Sequence, residues 1–564
     1  MAGRLRTACA ARLLPLLLLL PAAAHAQFTY VTNSGTITIT GYTGAGGAVT
    51  IPSTINGRSV TRIGFSAFAN NTSLTSVVIP SSVTTIDSFA FSHCTSLTNI
   101  TIPNSITSIG YQVFSYCSSL TSVVIPTGVT SLDTQAFYNC TGLTNVTIPS
   151  SVTSIGAQAF ALCTSLSSVT LPGSITSIGD GIFMSCGSLT NVTIPGSVSS
   201  IGSSAFAYCT SLGSLTLPNS VTSIGQQAFD HCAGLTNVLI PSSVTNLGAQ
   251  AFSNCSKLTS VALPNSLTSV ANSAFAFCSG LTSVTIPSSV TSIGNNAFTG
   301  CSKLPSVTLP NSVTILGSSA FFNCTSLTNV TIGNGVTNIG SSAFQSCRSL
   351  TSVALPNSVT NIGDSAFDGC TSLTNVTLPN SITRIGNYVF YDCTNLAVVT
   401  ILNNVTSIGS YAFQYCRSLT SVTIPNSVTN IEYAAFADCT RLTGIYFEGN
   451  APMVGSFVFY LYNGATVYYL AGTTGWGSTF GGLPTALWIR QMPPSIVNFG
   501  VSTNRFEFTI TGTSNMVIVV EVTTNLANPT WSPVGTNTLS GGSSYFSDPR
   551  WTNYHGRFYR LRSP

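Results

Sequence analysis

Apolar positions in this chain recur on a fixed step of 23 residues. Phenylalanine holds one place seventeen times from Phe68 to Phe436, and leucine holds another seventeen times from Leu74 to Leu442. In the stretch "LTNITIPNSITSIGYQVFSYC" (97–117), Leu97, Ile100 and Ile102 face one way, and the last two alternate as a strand requires. Pro103 has no N–H to give to a ladder, so it closes that strand. A second limb carries Ile106 and Ile109, and the "YQVFSYC" after it is long enough for about one helical turn. Glycine follows the second isoleucine at Gly110 and Gly156, but Asp87, Asp133, Ala271 and Glu432 stand in for it elsewhere, which predicts a tight turn not restricted to glycine.

A unit this short cannot bury its own apolar face; stacking on its neighbours does so. The expectation is a β-rich solenoid of about 17 coils of 23 residues with no long helices, its interior built from columns of like residues. Five segments follow. Residues 1–26 read as a secretory signal peptide: Arg4, Arg6 and Arg12, then an apolar run, then Ala24-His25-Ala26. Residues 27–64 form an N-terminal cap with a five-residue enlargement of the first unit, and 65–447 the solenoid. Residues 448–492 break the period and bring Trp476 and Trp488, as a closing cap would. Beyond Pro493-Pro494, residues 493–564 read as about five antiparallel strands, a small C-terminal β-sandwich, with a basic end at Arg550, Arg557, Arg560 and Arg562.

Sixteen cysteines share the 23-residue step, from Cys94 to Cys439. In an exported chain they are open to three arrangements: sequential disulfides, a metal site, or a buried ladder of reduced thiols. Stacked coils project like Cβ atoms in parallel about 4.8 Å apart, long for a disulfide, and a straight column does not converge on an ion. That favours the reduced ladder.

Charge narrows the function. Without the three arginines of the first 26 residues, 14 Lys+Arg stand against 13 Asp+Glu, and charged residues are 5% of the chain. This is not the footprint of a nucleic-acid or anionic-membrane binder, and no apolar run after the signal reaches the length of a membrane span. No phosphate loop, metal-ligand spacing or nucleophile elbow is present in the sequence, so neither a catalytic site nor a cofactor is expected. His93 and His231 lie six units apart, about 29 Å along the stack, too far to cooperate.

The pattern L-x-x-[VI]-x-[IL]-P-x-x-[VI]-x-x-[IL]-G-x-x-A-F-x-x-C, met almost letter for letter from Leu281, resembles the BspA-like (treponemal-type) class of bacterial leucine-rich repeats over residues 50 to 447. The resemblance implies a leucine-rich-repeat solenoid with a parallel concave sheet, and an exported surface protein that binds a protein, matrix or glycan ligand. The outward strand positions are a uniform Thr/Ser/Asn surface, with threonine between the last two inward residues in eleven of seventeen units. Such a face is poor in the Trp, Tyr and Arg that anchor recognition. Variation concentrates instead just before the cysteine, so the candidate binding rim is His93, Tyr116, Tyr138, Tyr208, His231, Phe277, Phe322, Tyr391 and Tyr415. The leading expectation is a non-enzymatic adhesion or protein-binding module at the cell surface, secreted; the alternative is a passive spacer or surface-layer component.

Overall fold

The computed structural model describes residues 27–460, 464–488 and 494–563; the expected signal peptide lies outside them. The chain is a β-solenoid of about 19 turns with parallel sheets, and no α-helix occurs among the described residues. Contacts divide it into two compact units.

The first unit runs to Thr420 and includes Asn430–Leu442 and the segment from Val454. Each coil lays one strand on the next in a register of one repeat: Ser122, Val123 and Val124 face Asn145, Val146 and Thr147. The second limb forms its own parallel ladder, Ser108 and Ile109 against Ser131 and Leu132. A register equal to the repeat length places like upon like. The buried phenylalanines therefore stack face to face, with Phe137 and Phe160 5.4 Å apart and 1° from parallel. Each such ring contributes about 2–3 kcal/mol by burial and about 0.5–1.5 more by ring contact.

One local expectation is corrected. The segment after the second limb is not a helical turn. Ala67, Ala69 and Asn71 close tight turns onto the carbonyls of Gly64, Ser66 and Phe68 at 3.2, 3.0 and 3.2 Å. The alternate N–H groups, of Ser66, Phe68 and Asn70, donate to Ser88, Ala90 and Ser92 of the next coil at 3.2, 2.8 and 2.9 Å. A helix would keep all six bonds within the segment; this turn sends half of them outward and stitches coil to coil. The glycine after the second limb does not have a left-handed backbone, in keeping with a turn that is not restricted to glycine: a Cβ at Gly225 would lie 2.6 Å from the Gly202 carbonyl carbon, but one at Gly110 would meet nothing nearer than 3.6 Å.

At the start, Gly47–Thr50 pairs in parallel with Leu74–Val78, so the cap is itself a coil. Its enlargement is a hairpin. Thr54 and Ile55 pair with Ser59 and Arg58 across Asn56-Gly57, both left-handed (φ 51° and 74°), the turn whose twist matches the strands.

The second unit holds Ser421–Thr429, Thr443–Met453 and the chain from Asn463. Ser421–Ile424, Gly444–Phe447, Thr466–Tyr469 and Leu483–Leu487 pair in parallel, and Thr479–Phe480 closes the sheet antiparallel. Trp476 lies 5.0 Å from Phe447 and from Phe480 and 5.2 Å from Tyr469, while Trp488 lies 5.0 Å from Tyr446. Both tryptophans thus pack in the aromatic end of this sheet.

The terminal module has six strands, one more than expected, because Ser495–Ser502 also pairs. Two three-stranded antiparallel sheets share a core of Phe508, Ile510, Ile518, Val520, Leu539 and Phe546. Its arginines are largely consumed internally. Arg560 and Arg562 reach the buried Glu521 at 2.8 and 2.9 Å, and the hydrogen bonds from Arg562 and Arg560 hold that carboxyl below its ordinary range. Arg557, itself buried, lies 3.1 Å from Asp548.

Candidate functional site

The turn side of the first unit carries the variable residues, and its backbone explains where they stand. Sending alternate N–H groups inward and onward requires the chain to reverse hand twice per coil. Ser66 and Asn70 do so, with φ of 54° and 62°. The same two slots are left-handed in every coil, the first from Ser66 to Ala434 and the second from Asn70 to Asp438. Only Gly181, Gly300 and Gly369 meet that demand with glycine. An L residue in this conformation costs about 1–2 kcal/mol, least for Asn and Asp. The second slot is the variable position before each cysteine, and it holds Tyr116, Leu162, Tyr208, Phe277 and Tyr415 among smaller residues.

The structure groups the expected rim residues unevenly. His93 stacks on Tyr116 at 4.2 Å, and Tyr116 meets Tyr138 edge-on at 5.5 Å. Tyr208 stacks on His231 at 4.4 Å, and Tyr391 meets Tyr415 at 5.4 Å. Phe277 projects alone at 53% exposure, and Phe322 is half-buried. The first left-handed slot escaped the sequence reading. It holds Phe89, Tyr388 and Tyr411, and Phe65, Tyr111 and Tyr433 sit one residue before it. Phe65, Phe89 and Tyr111 form a run with centroids 5.4 and 5.2 Å apart, and Tyr388, Tyr411, Tyr433 and Phe457 another at 4.7, 5.2 and 5.7 Å. The signal was available, since this slot varies between units as the other does.

Neither histidine assembles a nucleophilic triad. His93 Nδ1 lies 2.9 Å from Ser92 Oγ, which lies 2.8 Å from Ser115 Oγ, with no carboxylate in that chain of bonds. His231 Nδ1 lies 2.9 Å from buried Asp230, which also accepts from Asn254 Nδ2 at 3.3 Å, with no hydroxyl in line. Among the described residues, no three His, Cys, Asp or Glu side chains converge as a metal site.

The sixteen thiols are unpaired and buried. Each donates to the carbonyl of the phenylalanine 26 residues earlier, as Cys94 to Phe68 at 3.1 Å and Cys439 to Phe413 at 3.0 Å. Burial pushes the Cys94 thiol up to about 12 and that of Cys117 well above the ordinary thiol range, so neither ionises near neutrality. Their role is to fill the interior and satisfy a carbonyl.

A stack of like coils, with an inert thiol column inside and varied side chains on its turns, defines a repeat solenoid. The chain belongs to the family of the BspA type leucine rich repeat region, whose model matches residues 48–148, 130–259, 245–373 and 360–478. It is similar to a leucine-rich repeat protein from Bacteroides ovatus, with 32% identity, 71% of this chain and 94% of that one covered, and a TM-score of 0.48. It is also similar to a leucine rich cell surface protein from Faecalibacterium prausnitzii (31% identity, 66% and 92% covered, TM-score 0.37). The leucine rich repeat protein of T. pallidum shares 34% identity over 33% of this chain and 88% of its own, with a TM-score of 0.32. No curated protein matches the chain.

Proposed function

We propose that this protein is an exported, non-enzymatic adhesion or protein-binding module at the cell surface, and that it recognises its partner through the turn side of the coils. The observation that carries this reading is the presence of exposed aromatic residues in slots whose backbone favours Gly, Asn or Asp. Tyr208 is 47% exposed and Phe277 53%, both at left-handed φ. Strain accepted without burial in return points to selection for something outside the fold. Large exposed rings are also the side chains that anchor interfaces. Membership of a family that includes a described cell-surface protein supports the location.

The opposite side favours the second reading, a passive spacer. Thr98, Thr144 and Thr282 each donate a hydroxyl hydrogen to the carbonyl of the residue one coil back at 3.0 Å, so those threonines serve stacking. A pull-down and a matrix and glycan array with residues 27–564 separate the two. Partner capture is expected from the parent, and its loss from the Tyr116→Ser/Tyr208→Ser/Phe277→Ser variant with an unchanged melting profile. Equal capture by the two proteins would remove the turn side as the recognition surface, and no capture by either would favour the spacer.

A further inference from the structure

In the opening coils of the first unit the first left-handed slot reads Ser66, Phe89, Gln112, Gln135 and Gln158, before Gly181 ends the series. Phe65 and Tyr111, each one residue before that slot, join Phe89 in a row of rings 5.4 and 5.2 Å apart. Phe65 is 66% exposed and Tyr111 37%, so the row faces solvent. The three glutamines continue it as a ladder. Gln112 Nε2 donates to the Tyr111 hydroxyl at 3.0 Å and to Gln135 Oε1, and Gln135 Nε2 donates to Gln158 Oε1 at 2.6 Å. Rings thus pass into amides along one line that crosses five coils.

The ladder leaves hydrogen-bonding capacity over. An amide carries two N–H groups and two carbonyl lone pairs; the rungs use one of each at Gln135 and only a lone pair at Gln158. Each of these coils therefore keeps a donor and an acceptor in line with exposed rings, the lining of a site for a polar ligand with apolar faces. Charge does little along the row. Arg62 and Asp87 neutralise each other through bonds of 2.8 and 2.7 Å. Asp133 and Asp180, near the last two rungs, each accept a backbone N–H at 2.7 Å, from Thr134 and Ser203; they disfavour an anionic chain and can accept from hydroxyls. The spacing then selects among neutral chains. An extended peptide presents like groups every second residue, at about 6.6–6.8 Å, which overshoots each ring step. Three residues of a polyproline-type helix cover about 9.3 Å, short of two ring steps. One pyranose of an extended β-1,4-linked glycan advances by close to one step, so each sugar can meet one coil.

Resting on the adhesion reading above, we infer that this row binds an extended, neutral β-1,4-linked glycan with one sugar ring per coil, its apolar faces on Phe65, Phe89 and Tyr111 and its hydroxyls on the amides of Gln135 and Gln158. The amide ladder also ties coil to coil, which needs no ligand. Stacking gives no such account of Phe65, which stands at the open end of the row with most of its surface in solvent.

The test uses residues 27–564 and cello- and chito-oligosaccharides of two to seven sugars, followed by isothermal titration calorimetry. In at least one series, affinity should rise with each sugar up to five and stay within twofold from five to seven. It should change less than threefold between 50 and 500 mM salt. Maltohexaose, whose α-1,4 links coil the chain, should not bind. Phe65→Ser/Tyr111→Ser should lose tenfold or more and Gln135→Leu fivefold or more, each with an unchanged melting profile. Gln250→Leu, in the same slot but outside the row, should bind as the parent does. If Gln135→Leu melts early, the exposed ring variant decides. No binding by the parent, a plateau at two or three sugars, equal affinity for maltohexaose, or affinities within twofold across the ring and amide variants overturns the inference. So does binding that weakens more than threefold with salt, which would assign the row to a charged ligand. The partner-capture test alters Tyr116, Tyr208 and Phe277 instead, so failure here leaves the wider module reading standing.

Discussion

The strand side and the turn side of each coil are built from the same 23 residues and solve opposite problems. On the strand side the backbone is extended, the outward residues are nearly constant, and threonine hydroxyls satisfy carbonyls one coil back. On the turn side the backbone reverses hand twice per coil, half of its N–H groups leave for the next coil, and the outward residues change from unit to unit. The difference teaches that tolerance and ease are separate properties. The relaxed side has converged on one polar carpet, whereas the strained side has diversified, its slot residues meeting chiefly their counterparts on the neighbouring coil.

That contrast predicts a ranking of effects, steepest inside the coil. Phe229 is fully buried, with Phe206 5.3 Å on one side and Phe252 5.2 Å on the other. Phe229→Ala should cost about 3–5 kcal/mol, read by urea denaturation, whereas outward Thr216→Ala should stay within about 0.5. Comparable losses at the two positions would break the distinction between inward columns and outward carpet. Next comes the thiol column. Cys209→Ala removes a buried group and leaves the Phe183 carbonyl, 3.2 Å from its sulfur, without that donor. A loss of about 1–3 kcal/mol is expected. In the parent protein the sixteen buried thiols should resist Ellman's reagent until unfolding, and rapid reaction of several in the native state would contradict the inert ladder.

The turn side should respond in the opposite direction. Leu162 sits at φ 62°, where a leucine is strained and an asparagine is tolerated. Leu162→Asn should stabilise the protein by about 0.5–1 kcal/mol, a fraction of the left-handed cost. A clear destabilisation would show that slot residues are held by packing, and would undo the claim that their cost is paid for something external.

How much of this was legible in the sequence follows from the range of the forces involved. The phenylalanine, leucine and cysteine columns were visible because stacking makes each depend only on its own repeat, and Pro103 marked a strand end by chemistry it carries itself. The second left-handed slot was seen only as variability, and the first not at all. Their hydrogen bonds, such as Phe68 to Ala90 at 2.8 Å, belong to two coils at once, so a local reading supplied a helical turn instead. Ser495–Ser502 was missed because one side of it is not consistently apolar: all but two of its eight residues are exposed and none is buried. The C-terminal arginines read as a basic tail because Glu521, which takes two of them, lies 39 and 41 residues away in sequence. The rim residues stood out as variable positions, but their stacking, such as Tyr208 on His231, joins residues of two coils and carried no local signal.

The smallest effect concerns the one turn-side carboxyl that burial moves into a measurable range. Asp368 is half-buried; desolvation raises its carboxyl to about 6, against a 2.6 Å hydrogen bond from Gln345 Nε2 that opposes the rise and the neighbouring Asp392, which adds to it. Because the folded value lies above the unfolded one near 4, the native state binds more protons between pH 4 and 6, and stability falls as pH rises through that window. Below pH 4 the group is neutral in both states and the penalty vanishes; above pH 6 it is complete. Asp368→Asn should therefore melt slightly higher than the parent at pH 7.5, and the difference should shrink toward zero as pH falls to 4. A difference that is constant across that range, or that grows on acidification, would show that this carboxylate is stabilised where it sits. The strained side would then hold a favourable charge, and its contrast with the uncharged strand side would have to be redrawn.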